Sequence, residues 1–235
     1  MIDLFNLPEQ RIVVALNGVD PPSLHETSQR PDCLPKDTPF FLMIGPGAPH
    51  KNWRDALAAF DRYIQDQPAD DPTLLVLAGA LHMEEPHIRK AIAQSPNLTR
   101  RVICTNYMTD AQMRYLFQNA RICLFPSRYE GFGRPIVEGM AYNVPTIVCD
   151  TPISREVAGD AALIVPLDDP QAMADALHRL NTDQSLRTQL AAKGQSRVAA
   201  YPWAPSAKIT LDALTALAQH KLTPTSPRLS IAKSS

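Results

Sequence analysis

The chain has 235 residues, 45% of them hydrophobic, and a formal charge of −1, the make-up of an ordinary globular protein with room for one large domain or two small ones. That charge gives no reason to expect nucleic-acid or membrane-surface binding as a main role. No apolar run approaches the ~20 residues that span a bilayer, and Met1–Asn6 lacks the basic stretch and apolar run of a secretory signal.

In chain order, residues 1–20 read as a helix end followed by one strand, Arg11–Leu16. Residues 21–39 carry five prolines among polar residues and form a loop or linker. From Phe40 onward, short apolar runs alternate with helical patterns. The runs are Phe40–Ile44, Thr73–Ala78, Arg101–Thr105, Arg121–Phe125, Thr146–Cys149 and Ala162–Val165. Each is nearly continuous in apolar character, as expected of strands buried on both faces of a parallel sheet. Between them run stripes at helical spacing: Trp53, Leu57, Phe60 and Ile64; Met113, Leu116, Phe117 and Ala120; Met173, Leu177 and Leu180. Strand and helix in repetition predict βαβ units with right-handed crossovers, hence an α/β fold with a doubly wound parallel sheet.

Local punctuation supports the helices. Thr109 and Gln112 form a capping-box pattern, Pro135 suits a first helical turn, and Asp168 and Asp169 precede Pro170 at another helix start. After Asp183 the chain reads as C-terminal helices to about His220, with Pro202 and Pro205 interrupting or starting the last. Trp203 and the stripe Ala207, Leu211, Leu214 and Ala218 are expected either to pack that helix on the core or to leave an apolar face uncovered, which would favour a partner or aggregation. Residues 221–235 read as a disordered tail. Cys33, Cys104, Cys123 and Cys149 are scattered, with no Cys-x-x-Cys pair, which points to reduced thiols in a cytoplasmic setting.

Ligands of open α/β sheets bind beyond the carboxyl ends of the strands, where three stretches should converge. Gly45-Pro46-Gly47-Ala48-Pro49-His50-Lys51-Asn52 follows the first buried run: its glycines allow a close backbone turn, and Lys51 puts a cation beside a helix N-terminus. It is neither a P-loop nor a dinucleotide fingerprint, and taken alone a plain strand-to-helix turn is the commoner origin of such a stretch. The second stretch sets Glu130 and Glu138 either side of Gly131-Phe132-Gly133-Arg134-Pro135. Glu130 can accept hydrogen bonds from sugar hydroxyls, the glycines expose backbone N–H groups, and Glu138, about one helical turn in, can grip a ribose diol. The third, Thr105–Met108, offers Tyr107 as a rest for a base or, equally, as packing. His82 and His87 lack the spacing of a zinc motif and read as solvated loop histidines. Ser127 and Ser154 have no His/Asp pattern beside them.

Pro126-Ser127, Glu130-Gly131-Phe132-Gly133-Arg134-Pro135 and Glu138-Gly139-Met140-Ala141 together resemble the signature of the family-four retaining glycosyltransferases of the GT-B fold. Asn17-Gly18-Val19-Asp20, Lys51-Asn52, Glu156–Ala162 and Tyr201-Pro202-Trp203 match further parts of that family in order, so the resemblance covers about residues 8–218. It implies the Rossmann-like, donor-binding half of a GT-B enzyme over residues 40–220. Glu130 would contact the transferred sugar. Backbone N–H groups from Gly131 through Ile136 would hold sugar and diphosphate, with Gly45, Gly47 and Tyr107 completing the donor site. Lys51 would neutralise the leaving diphosphate, and Glu138 would bind ribose. No metal or cofactor is implied. The donor substrate would be a GDP- or UDP-hexose, with a mannosyltransferase among the activities covered. The acceptor would be a glycan or lipid-linked, in polysaccharide or glycoconjugate assembly, in the cytoplasm or peripherally at the inner face of the membrane.

The chain departs from the family at Pro46, where many members carry an arginine, and Arg134 is not a free substitute. The family's preceding acceptor-binding domain has no counterpart here, since Ile2–Gln10 resembles the interdomain connector. Two readings follow: a transferase donor domain, or a non-catalytic nucleotide-sugar-binding module that needs a separate acceptor-domain chain. A nucleotide-sugar epimerase would be a third, against which the Gly-Phe-Gly motif argues.

Overall fold

A computed structural model of the chain describes residues 8, 11–20, 22, 26–79 and 85–219. By contacts the chain divides into two units, one of residues 19–200 and one of residues 1–18 with 201–235.

The larger unit is built on six strands: β1 (Phe40–Ile44), β2 (Leu74–Ala78), β3 (Val102–Cys104), β4 (Ile122–Phe125), β5 (Thr146–Cys149) and β6 (Ala162–Val165). They form one sheet in the order β3-β2-β1-β4-β5-β6, and every pairing is parallel. Among the described residues eight helices accompany them: α1 (Trp53–Gln65), α2 (Glu85–Ala93), α3 (Pro96–Arg101), α4 (Asp110–Asn119), α5 (Arg134–Ala141), α6 (Pro152–Ala158), α7 (Pro170–Thr182) and α8 (Gln184–Val198). The continuous apolar runs are explained by burial on two faces. Phe41, Met43, Leu75, Leu77, Ile122 and Leu124 face a core shared with α1 and α7. Their neighbours Phe40, Leu42, Leu74, Val76 and Cys123 face a second core with Leu116 and Phe117 of α4. Phe41 meets Phe60 and Tyr63 edge-on, with ring centres 5.9 and 5.1 Å apart. Each such large apolar side chain contributes roughly 1.5–3 kcal/mol by burial.

The caps fall where the sequence placed them. Thr109 and Gln112 form the capping box of α4, Pro135 lies in the first turn of α5, and the Asp169 side chain accepts from the Ala172 N–H at the head of α7. Of the Pro-rich stretch, residues 26–39 form a loop packed onto the sheet: Leu34 is buried, and the Gln29 N–H donates to the Ala111 carbonyl at 2.9 Å. Helices α2 and α3 were not expected. α3 is only six residues long, capped by Ser95, and it takes Arg101 from the expected strand. At the other end of the sheet, α8 packs on α5. Gly194 makes this close approach possible, because a β-carbon there would sit 3.1 Å from Met140 Cγ, and Gln195 Nε2 donates to the Met140 carbonyl at 2.8 Å.

In the smaller unit, the expected strand Arg11–Leu16 is not formed; residues 12–20 carry no regular secondary structure. Val13, Val14 and Leu16 are exposed, and β-propensity has no effect without a neighbouring strand to pair with. α9 (Trp203–Gln219) follows Pro202, and Trp203, Leu211 and Leu214 are exposed on it. Within this unit Gly18 lies so close to Trp203 that a β-carbon would stand 2.5 Å from the indole. The expected tail, residues 221–235, lies outside the described residues, as do His82 and most of the expected connector. Among the described residues no helix is long and apolar enough to cross a membrane.

Candidate functional site

The strand order reverses between β1 and β4, and at such a switch point the loops leaving the carboxyl ends of the two strands part and leave a crevice. Both leading candidates lie on those loops. After β1 the chain turns at Gly45 (φ +145°), where a side chain would meet the stem of Lys51 at 3.1 Å. Gly79, after β2, is also necessary: with φ +127°, a β-carbon there would stand 2.9 Å from the Gly45 carbonyl oxygen. Residues Pro49–Lys51 make one 3-10 turn, and Asn52, left-handed at φ +57°, hands over to α1. Gly47 is buried within the same loop.

Lys51 is buried, with its ammonium 2.6 Å from Glu130 Oε1 and 5.1 Å from the centre of the Phe125 ring. The structure therefore joins the two residues that the sequence separates by 79 positions. The β4 loop is fastened to the β1 loop beside them: the Arg128 N–H donates to the His50 carbonyl at 2.8 Å, and the His50 and Tyr129 rings stack at 4.8 Å. Beyond Glu130, open space surrounds the position a Gly131 side chain would take, while Phe132 is buried. Gly133 (φ +88°) caps α5 without a side-chain bond. Glu138, one turn into α5, pairs with Arg134 at 2.8 Å.

One expectation changes. The run of backbone donors does not extend through Ile136: Pro135 has no N–H, and that of Ile136 donates to the Gly133 carbonyl at 2.9 Å, inside the first turn of α5. Tyr107 is 80% exposed on the loop after β3, where Thr105 Oγ1 accepts from the Gly79 N–H at 3.3 Å. His87 lies on α2 and not on a loop. Among the described residues no group of three His, Cys, Asp or Glu could hold a metal.

The sequence reading passed over Arg128. Its guanidinium reaches Asn52 Oδ1 at 3.2 Å, Asp55 at 3.6 Å and Asp168 Oδ1, which joins the loops after β1, β4 and β6. The Arg128 hydrogen bond holds the exposed Asp168 carboxyl below its ordinary range. No sequence signal marked this residue, because its partners are 40 to 76 positions away. Nearby, burial and the Asp55 charge push the Cys149 thiol up to about 12.

The reversal of strand order thus brings a lysine–glutamate pair together beside a glycine-capped helix. The family profile of the glycosyl transferases group 1 matches residues 25–197. The chain belongs to that family. As a group 1 glycosyl transferase it is 28% identical to O-antigen chain mannosyltransferase B of Escherichia coli over 222 residues, which is 91% of this chain and 56% of that protein. It is 25% identical to O-antigen chain mannosyltransferase RfbU of Salmonella typhimurium, over 75% of this chain and 46% of that protein. This transferase chain thus spans about half the length of these curated relatives. Among solved structures, sucrose-phosphate synthase from Thermosynechococcus elongatus aligns with a TM-score of 0.64 at 25% identity, over 79% of this chain and 46% of that one. A glycosyltransferase from Rickettsia africae aligns with a TM-score of 0.68 at 15% identity, over 80% and 50%, and shows the fold alone. That fold is the Rossmann-like half of a GT-B glycosyltransferase.

Proposed function

We propose that residues 19–200 bind the nucleotide-diphosphate sugar of a retaining glycosyl transfer that serves polysaccharide or glycoconjugate assembly. The observation that carries this reading is the Lys51–Glu130 pair at the reversal of strand order. Lys51 has three N–H bonds, one directed at Glu130, which leaves donors for diphosphate oxygens. As the bond from the sugar's anomeric carbon to the diphosphate breaks, negative charge gathers on the leaving oxygen, and a fixed ammonium in a dry cleft stabilises that charge most. Glu130, held by the same ammonium, presents its remaining lone pairs to the sugar hydroxyls. Backbone donors near Gly131 and Gly133 face the diphosphate, and Glu138 takes the ribose. Lys51 performs this role without a neighbouring arginine, since Pro46 occupies that position.

The mannosyltransferase names of relatives put a mannosyl donor first among GDP- and UDP-hexoses. The acceptor, a glycan or lipid-linked, is bound by the part of such enzymes that this half-length chain does not cover. Transfer is therefore proposed for an assembly that contains both parts, and donor binding without turnover for this chain alone. A cytoplasmic setting, peripheral to the inner membrane face when the acceptor is lipid-linked, agrees with four free cysteines.

Calorimetric titration with GDP, UDP and their hexose conjugates tests the reading. Wild type should bind at least one, and Lys51→Ala should weaken that binding by about 1.5–3 kcal/mol, the usual cost of losing a charged hydrogen bond. A folded wild type that binds none of them refutes it.

A further inference from the structure

We propose that Arg128 is the positioning residue of Lys51: it holds the residues on both sides of that lysine and so keeps the ammonium against Glu130. On one side, the Arg128 backbone N–H donates to the carbonyl of His50 at 2.8 Å. On the other, its guanidinium donates to Asn52 Oδ1 at 3.2 Å. Asn52 sets the turn into α1. After glycine, asparagine is among the residues that best tolerate a left-handed φ of +57°, and its side chain is fixed by two partners, Arg128 and Asp55, the latter 2.9 Å from Nδ2. Arg128 in turn is anchored by the Asp168 carboxylate, at another left-handed residue (φ +58°) beyond β6. Arg128 stands two residues before Glu130, so one short segment both carries the acidic partner and sets the loop that delivers the basic one.

The alternative is a solvent-screened ion-pair cluster with no effect beyond local stability, because the Arg128 side chain is 40% exposed and that of Asp168 67%. Against it stands the convergence of contacts on one terminal nitrogen: Nη2 reaches Asn52, Asp55 and Asp168 together, so the same group ties the residue after Lys51 to the loops beyond β4 and β6.

Two measurements on the full chain decide between these. The first needs no ligand. Lys51 lies over the Phe125 ring, so in protein labelled with 13C,15N-lysine its ε-methylene signal, assigned by its loss in Lys51→Arg, should carry a ring-current shift. Arg128→Ala should move that signal toward the position of solvent-exposed lysines, and Asp168→Asn, a milder surface change, should move it the same way. Arg128→Lys, which keeps the charge on a stem one bond shorter, should fail to restore it. An unmoved signal in folded Arg128→Ala or Arg128→Lys overturns the proposal. The second measurement rests on the donor-site reading and uses the nucleoside diphosphate, GDP or UDP, that wild type binds. Arg128→Ala should weaken it about tenfold when Lys51 is present and less than about twofold in Lys51→Ala, a coupling typical of groups in one network. Equal losses in both backgrounds overturn the proposal. A wild type that binds neither nucleotide counts against the donor-site reading, and the lysine signal then decides the role of Arg128 alone.

Discussion

Replacing Lys51 by Met keeps the length of the side chain but strands the Glu130 carboxylate, whereas Glu130→Gln strands the ammonium. The two changes should not cost the same. The side chains are 11% and 15% exposed and their atoms 2.6 Å apart. At an effective dielectric of about 20, unit charges about 4 Å apart attract by roughly 4 kcal/mol, from which desolvation must be deducted. Removing one partner of a fully buried pair costs about 3–5 kcal/mol, while exposed pairs are worth about 0–1. The low exposure puts this pair nearer the first limit, so a coupling of about 2–3 kcal/mol is expected. The Phe125 ring, 5.1 Å from the ammonium, offers its negative face to a cation and nothing to a carboxylate. Lys51→Met should therefore destabilise more than Glu130→Gln, and the double substitution should recover most of the loss. Trp53 is the only tryptophan in the 19–200 unit. Its fluorescence in a Trp203→Phe background reports urea unfolding of that unit, and Lys51→Met should lower the midpoint by about 1 M at a slope of about 2 kcal/mol/M. Additive losses, with a coupling below about 0.5 kcal/mol, would refute both the assigned burial and the pairing.

Gly79→Ala should cost about 2–3 kcal/mol, from a strained φ and a clash with the Gly45 carbonyl; because Gly45 begins the Lys51 loop, nucleotide affinity measured by calorimetry should fall too. Glu138→Ala should weaken nucleotide binding while changing stability by less than about 0.5 kcal/mol, since its partner Arg134 is 60% exposed; equal urea midpoints alongside a changed affinity would show it. Burial pushes the Cys123 and Cys149 thiols up to about 12, so both stay neutral from pH 7 to 9, where only the thiolate reacts. Iodoacetamide followed by peptide mapping should label exposed Cys33 in the native protein, and Cys123 and Cys149 only in denaturant.

Local chemistry carried most of what the sequence disclosed. Phe40–Ile44 and Ala162–Val165 appear as strands with the bounds read from their apolar runs, and the Thr109 cap depends only on residues within one turn. Glu130 and Lys51 were legible as separate residues, each on its own loop, but their contact follows from the order of strands, which no local pattern encodes. Arg128 lay beyond reach for the same reason. Asn52 and Asp168 adopt left-handed conformations, which their residue types tolerate, and Arg128 bonds to both side chains from a distant part of the sequence. The error has a cause of the same kind: Arg11–Leu16 has the right residue types for a strand, but pattern alone does not supply a strand to pair with.

The close fit of Gly18 against Trp203 sets a timetable for synthesis. The residue that receives the indole leaves the ribosome about 185 residues before the indole does, an interval on the order of 10–40 s at ordinary translation rates. The intervening 19–200 segment can complete its sheet during that wait, while Gly18 stays unmatched. Any larger side chain at position 18 would leave this late closure without a seat, and the fault would fall on α9.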